Sequence, residues 1–152
     1  MSGPRILVPV DFSDRSRRAL EYTAVLARAL RAEVTVLHAW DCPAFARDLP
    51  ANTAQASSLA DLLLESMRRE LDAFISSVLP SSDLTLVPVL TAASPAQAIL
   101  EAARQRAHEF IVMSTRGRGP IASALLGSVA RRVMEHSVIP VLLVPDREAR
   151  AR

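Results

Sequence analysis

Apolar residues along this chain gather in short, nearly continuous runs, and between the runs they recur every three or four positions. Runs over residues 5–10, 33–39, 83–90, 110–113 and 139–144 read as strands, because a strand covered on both faces needs no polar alternation. The stretches between them carry helical spacing. Leu20, Thr23, Ala24, Ala27 and Leu30 fall on one face, as do Leu59, Leu62, Leu63, Met67, Leu71, Phe74 and Val78. Ala98, Ile99, Ala102 and Ala103 form a third such face, and residues 129–135 a fourth helix. The punctuation agrees: Asp11-Phe12-Ser13 is a turn whose serine can cap a helix, and Ser94-Pro95 puts an N-cap before a proline suited to the first helical position.

Strands alternating with helices predict an open five-stranded parallel sheet with helices on both faces and right-handed crossovers. Pro88 cannot donate to a ladder, which places the third strand at a sheet edge. In such folds ligands collect beyond the carboxyl ends of the strands where the winding reverses. With the first and fourth strands as neighbours at that point, Asp11 and the loop beginning at Ser114 face one crevice. Residues 41–57 contain Pro43, Pro50 and Asn52 and read as a mobile connection.

A chain of 152 residues suits one domain, here with an ordered core over about residues 4–145 and a frayed tail over 146–152. Half the residues are apolar and only 4% aromatic, so the core is aliphatic. The net charge of +2, with acids interleaved among the arginines and only Trp40 and Tyr22 besides phenylalanine for stacking, argues against a nucleic-acid partner. Cys42 is the only cysteine, which excludes an intrachain disulfide and a cysteine zinc cluster and fits a reducing compartment. With no apolar signal core and no stretch of membrane-spanning length, a soluble cytoplasmic protein with no membrane partner is expected.

The candidate chemistry lies in residues 114–128. A strand, a glycine loop and a helix start at Gly127-Ser128 with free amides together suit an anion, although glycines near strand ends also serve as plain turns. All 18 basic residues are arginine, so a Walker-type loop and Schiff-base chemistry are both excluded. Asp11 reads either as a ligand contact or as a cap for the helix starting at Asp14. His38 reads as core or crevice wall, and His108 and His136 as surface residues at helix ends. No spacing suggests a metal cage or a catalytic triad, so no catalytic residue is assigned.

Several fragments in fixed order carry a resemblance. These are Leu-Val-Pro-Val-Asp-Phe-Ser at 7–13, Leu-His at 37–38, Ser-Pro-Ala with Ile-Leu at 94–100, Ile-Val-Met at 111–113, Arg-Gly-Arg-Gly at 116–119 and Leu-Leu-Gly-Ser-Val-Ala at 125–130. Together they resemble the universal stress protein family over about residues 4–145, closest to its ATP-binding branch. The resemblance implies an adenine nucleotide alpha hydrolase-like, Rossmann-like fold with strand order 3-2-1-4-5.

It also implies a site. The branch carries Gly-x2-Gly-x9-Gly-Ser/Thr, and this chain supplies Gly117, Gly127 and Ser128 but has Ser114 in the first glycine's place. By resemblance Gly117, Gly127, Ser128 and Val129 hold the phosphates of ATP, with Arg116 adding a charged contact. Asp11 would sit near the ribose and a Mg or Mn counter-ion, and the Ala39 backbone would meet the adenine. Pro9, Val10 and Met113 at the strand ends complete the expected site. A non-glycine residue forced into a left-handed conformation costs about 1–2 kcal/mol, so Ser114 is expected to weaken ATP binding through strain. In a nucleotide-independent scaffold of the same family, it would block tight binding. The expected protein is a regulatory homodimer joined through the last strand, Ile139 to Val144, with little or no ATP hydrolysis.

Overall fold

The structure is a computed structural model, and it describes residues 3–41, 54–81, 83–105, 107–117 and 126–146. The expected mobile segment at 41–57 and the expected tail at 146–152 lie outside the described residues, apart from residues 41, 54–57 and 146. Five strands, β1 (Arg5–Pro9), β2 (Glu33–Ala39), β3 (Leu86–Thr91), β4 (Phe110–Ser114) and β5 (Val141–Val144), form one sheet. Every described pairing is parallel, in the order β3-β2-β1-β4-β5. Among the described residues four helices alternate with them: α1 (Asp14–Leu30), α2 (Ala54–Val78), α3 (Pro95–Gln105) and α4 (Ser128–His136). β3 pairs only with β2, so Pro88 does stand on an edge strand.

Strand alternation sorts the core into two layers. Ile6, Val8, Val34, Val36 and Val112 face α1 and α2, packing with Leu20, Ala27, Leu71, Phe74 and Ile75. Leu7, Leu37, Ile111 and Met113 face the other way, onto Ala96, Ala98, Ile99 and Ala103 of α3 and Ala130 and Val133 of α4. Burying an aliphatic side chain of this kind is worth about 1.5–3 kcal/mol, so the unbroken apolar strands follow from the sheet's two covered faces.

Some expected core positions lie outside it. Leu30 is exposed at the end of α1, where Arg31 turns the chain in a left-handed cap at φ 53°. Leu62 is 65% exposed, because a 25-residue helix spans about 37 Å and its described buried residues lie in its last third, from Leu71. The last strand starts at Val141 rather than at Ile139, since Ile139 is held in a local turn by Ser137 Oγ, 2.7 Å from its carbonyl and 3.2 Å from its amide.

His108, expected at the surface, is 4% exposed. After α3 the chain passes through Ala107 at φ 49°, which swings the ring inward. There Nδ1 donates to the Ala102 carbonyl at 3.1 Å and Nε2 is hydrogen-bonded with Thr35 Oγ1 at 2.9 Å. A carbonyl can only accept, so Nδ1 carries a proton, while the Thr35 hydroxyl can serve Nε2 as donor or acceptor. His136 is exposed at the end of α4, with Nδ1 2.9 Å from the Arg132 carbonyl.

Candidate functional site

β1 and β4 are neighbours, and the chain leaves them towards opposite faces of the sheet. Their carboxyl ends therefore open a crevice between two strand-to-helix turns. A cavity of about 760 Å³ occupies it. All eleven residues expected at the site line this cavity: Pro9, Val10, Asp11, Ala39, Met113, Ser114, Arg116, Gly117, Gly127, Ser128 and Val129. Leu37, Pro95, Ile99 and Leu126 add apolar wall, while Arg131, Arg132, Glu135 and His136 of α4 form a charged rim.

The turn from β1 into α1 is satisfied by its own residues. Ser13 is the N-cap, its hydroxyl accepting from the Ser16 amide at 3.2 Å. Asp11 Oδ1 accepts from the Ser13 amide at 3.1 Å and from the Ser13 hydroxyl. Asp11 thus braces the cap without being the cap. Phe12 lies between them at φ 64°, an uncommon conformation for a bulky residue. Its ring stacks on His38, centroids 4.1 Å apart, and tilts against Phe74 at 5.4 Å, contacts that hold the turn in that conformation. His38 Nδ1 in turn lies 2.8 Å from the Val10 carbonyl, making it a buried crevice support.

The loop leaving β4 is built differently. Three consecutive carbonyls are each bound by a protein donor: Thr115 by the Gly127 amide at 2.7 Å, Arg116 by Ser114 Oγ at 2.7 Å, and Gly117 by Arg15 Nη1 at 2.8 Å. A trans peptide carries its N–H opposite its C=O, so fixing the first two carbonyls also fixes the directions of the Arg116 and Gly117 amides. Gly127 is the N-cap of α4 and supplies no side-chain cap, so among the described residues no side chain caps the first turn of that helix, which opens onto the cavity. A Cβ on Gly127 would sit 3.2 Å from Arg116 Cα, 3.4 Å from the Thr115 carbonyl oxygen and 3.6 Å from the Gly117 amide nitrogen. A Cβ on Gly117 would sit 2.8 Å from Asp11 Oδ2. A side chain is crowded at both places because two turns pass each other there: at Gly127 the facing backbone must give by a few tenths of an ångström, and at Gly117 the Asp11 carboxylate must shift.

Ser114 corrects the expectation of strain. Positive φ among the described non-glycine residues occurs at Phe12, Arg31 and Ala107, and not at Ser114, which ends β4 in register with Val144. A side chain costs nothing in that extended conformation. Its hydroxyl instead fixes the loop.

Arg15 and Ser16 belong to the site and were not singled out in the sequence. Ser16 lines the cavity, and its hydroxyl donates to the Ser13 carbonyl at 3.0 Å while lying 3.3 Å from the Asp11 amide. In sequence both read as the polar face of α1. The arrangement presents an apolar slot between β1, β2 and α3 that leads to amides and arginines at the start of α4. Among the described residues no group of three or more metal-ligating side chains exists. Asp11 alone fits a divalent ion only where the ligand brings most of the coordinating oxygens, as Mg²⁺ bound to phosphates does.

Comparison with known proteins gives this architecture its place. A universal stress protein of Thermus aquaticus is 32% identical over 143 residues, covering 91% of this chain and 96% of its own. A universal stress protein of Archaeoglobus fulgidus solved in complex with dAMP superposes with a TM-score of 0.64 at 22% identity, over 94% of this chain and 98% of its own. Another universal stress protein, solved in complex with cAMP, gives a TM-score of 0.61 at 23% identity, over 95% of this chain and 98% of its own. The family model described as the universal stress protein family matches residues 4–145, and the chain belongs to that family.

Proposed function

We propose that this protein binds ATP in the β1–β4 crevice and works as a nucleotide-dependent regulatory homodimer in a stress response. One observation carries the reading: the first turn of α4 has no side-chain cap and opens onto the cavity beside a loop whose carbonyls are bound elsewhere. An anion placed there gains the helix-end interaction, about 0.3–1 kcal/mol, together with amide hydrogen bonds. Arg116, Arg131 and Arg132 outnumber Asp11 and Glu135 around the cavity, which favours a polyphosphate. The dAMP and cAMP complexes of the two related proteins support an adenine nucleotide.

In this reading adenine lies in the apolar slot by Ala39, Pro9 and Val10, the ribose near Asp11, and the phosphates at Gly117, Gly127, Ser128 and Val129, with a Mg or Mn ion carried by the nucleotide. Ser128 adds a hydroxyl donor. The reading includes no hydrolytic step, because Asp11 Oδ1 is engaged by Ser13 rather than held ready to activate water. Ser114 is extended, so the strain that would have favoured a nucleotide-independent scaffold is removed.

Dimerisation belongs to the same proposal. β5 pairs with β4 on one side only, and around it Val138 is 76% exposed, Leu142 40% and Met134 48%. A second copy can satisfy that edge by antiparallel pairing. No helix among the described residues is long and apolar enough to cross a membrane, and the proposed site of action is the cytoplasm. Mass spectrometry of small molecules released by heat from the purified protein tests the nucleotide. ATP or ADP is expected, whereas an empty spectrum together with no uptake of added ATP contradicts the reading.

A further inference from the structure

Arg15 stands in the first turn of α1, where a cation works against the partial positive charge of the helix end. Its partners explain the placement. Nη1 donates to the Gly117 carbonyl at 2.8 Å, and Nε donates to Asp146 Oδ2, also at 2.8 Å. Arg18 Nη1, one turn further along α1, lies 3.6 Å from Asp146 Oδ1. Asp146, expected to begin a frayed tail, is instead anchored, its side chain only 17% exposed.

These bonds close a ring of contacts. Gly117 is confined by two residues of the β1–α1 turn, Asp11 on the side of its Cα and Arg15 at its carbonyl. Asp146 follows β5 by two residues, and the last residue of β5, Val144, accepts from the Thr115 amide at 3.3 Å. The ring therefore runs from the β4 loop to Arg15, on to Asp146 and back through the end of β5. Of the three donors that fix the loop carbonyls, Arg15 is the one that also bonds Asp146 beyond the end of β5.

We propose that Arg15 is a positioning residue for the bound nucleotide. It holds the Gly117 carbonyl so that the loop keeps its binding shape, and through Asp146 it links nucleotide occupancy to the segment that leaves edge strand β5. The inference rests on the ATP reading above. A guanidinium fork serves two acceptors at once in a fixed plane, whereas a lysine ammonium on a flexible stem does not reproduce that geometry. Without Arg15 the loop must be ordered when the nucleotide binds, and affinity falls by the cost of that ordering. Linkage requires the converse: a nucleotide that favours the fixed loop also favours the anchored Asp146 segment.

The test is a double-mutant cycle read by calorimetry with Mg-ATP. Arg15→Gln is expected to weaken binding about five- to twentyfold, and Asp146→Asn about two- to fivefold, magnitudes typical of coupling through a network. The double variant should bind like Arg15→Gln alone, and Arg15→Lys should recover part of the loss. Arg28→Gln, whose partner Asp83 is exposed and remote from the cavity, is the control and should bind like the parent. Hydrogen exchange supplies a readout that folding alone does not move: Mg-ATP should slow exchange at the Val144 and Asp146 amides in the parent and not in Arg15→Gln. If Arg15→Gln fails to fold by circular dichroism, Asp146→Asn with the same exchange measurement decides. Parent-like binding in the Arg15 variant, or penalties that multiply in the double, overturns this inference and leaves the ATP reading standing. A parent that takes up no ATP overturns both.

Discussion

Two helices begin at the same crevice, and they begin differently. α1 is capped by Ser13, which is itself held by Asp11, while α4 starts at Gly127 with no side chain to satisfy its first amides. Each helix faces the carboxyl end of a central strand, and each carries the same backbone polarity. In the proposed reading, the uncapped one receives the ligand. The crevice thus has a closed wall, which sets geometry and stiffness, and an open wall, which supplies donors. Arginine follows the same division: Arg15 and Arg17 on the closed wall are spent on protein partners, Gly117, Asp146 and Ser77, whereas Arg131 and Arg132 on the open wall line the cavity.

The largest effect should come from filling the space where the open wall touches its loop. Gly127→Val places a branched Cβ 3.2 Å from Arg116 Cα, and overpacking of this kind costs about 1–3 kcal/mol. ATP affinity measured by calorimetry should fall about ten- to a hundredfold at one decade per 1.4 kcal/mol. Parent-like affinity would mean that the nucleotide does not depend on the start of α4.

Removing the cap on the closed wall should do the opposite. Ser13→Ala is expected to cost about 1 kcal/mol of stability, seen as a fall of about 2–4 °C in Tm for a chain of this size. ATP affinity should stay within about threefold, since the capped amides take no part in binding. A large loss of affinity with unchanged Tm would erase the distinction between the walls.

Ser114→Gly sharpens the comparison further. No left-handed strain exists to be relieved, so the variant loses only the 2.7 Å bond to the Arg116 carbonyl, a net contribution of about 0.5–1.5 kcal/mol. Binding should be unchanged or up to about tenfold weaker. Tighter binding would restore strain as the governing effect.

The smallest effect is expected far from the crevice. The Arg28 guanidinium, hydrogen-bonded to Asp83 at 2.9 Å, holds that carboxyl below the ordinary aspartate range. A carboxyl depressed in the folded state stabilises the protein above its unfolded pKa, near pH 4. That contribution is lost as pH falls through the lower folded value. Both side chains are exposed, so Asp83→Asn should leave Tm at neutral pH within the error of the parent, and nucleotide binding untouched.

The two walls were not equally legible in the sequence. Apolar runs and Pro88 announced the strands and one edge, and ordered motif fragments brought eleven of the lining residues into view. Local spacing carries such features because strands, caps and glycine turns depend on near neighbours. The bonds that tie the closed wall to the β4 loop and to the end of β5 depend on distant ones. Arg15 finds partners 102 and 131 residues away and reads in sequence as an ordinary solvated helix position. His108 was misplaced for the same reason, since its partner Thr35 lies 73 residues away. Ser114 was read through a glycine motif, and only the backbone of β4 showed that its place is extended.

The most direct test of the central claim is amide chemical-shift mapping by NMR as Mg-ATP is added to the parent protein. If the open wall binds the anion, the largest displacements fall on the amides of Gly117, Ser128 and Val129, while those of Ser16 and Arg17, already bonded to Ser13, move little. Shifts centred on the first turn of α1, or on residues outside the crevice, would contradict the account.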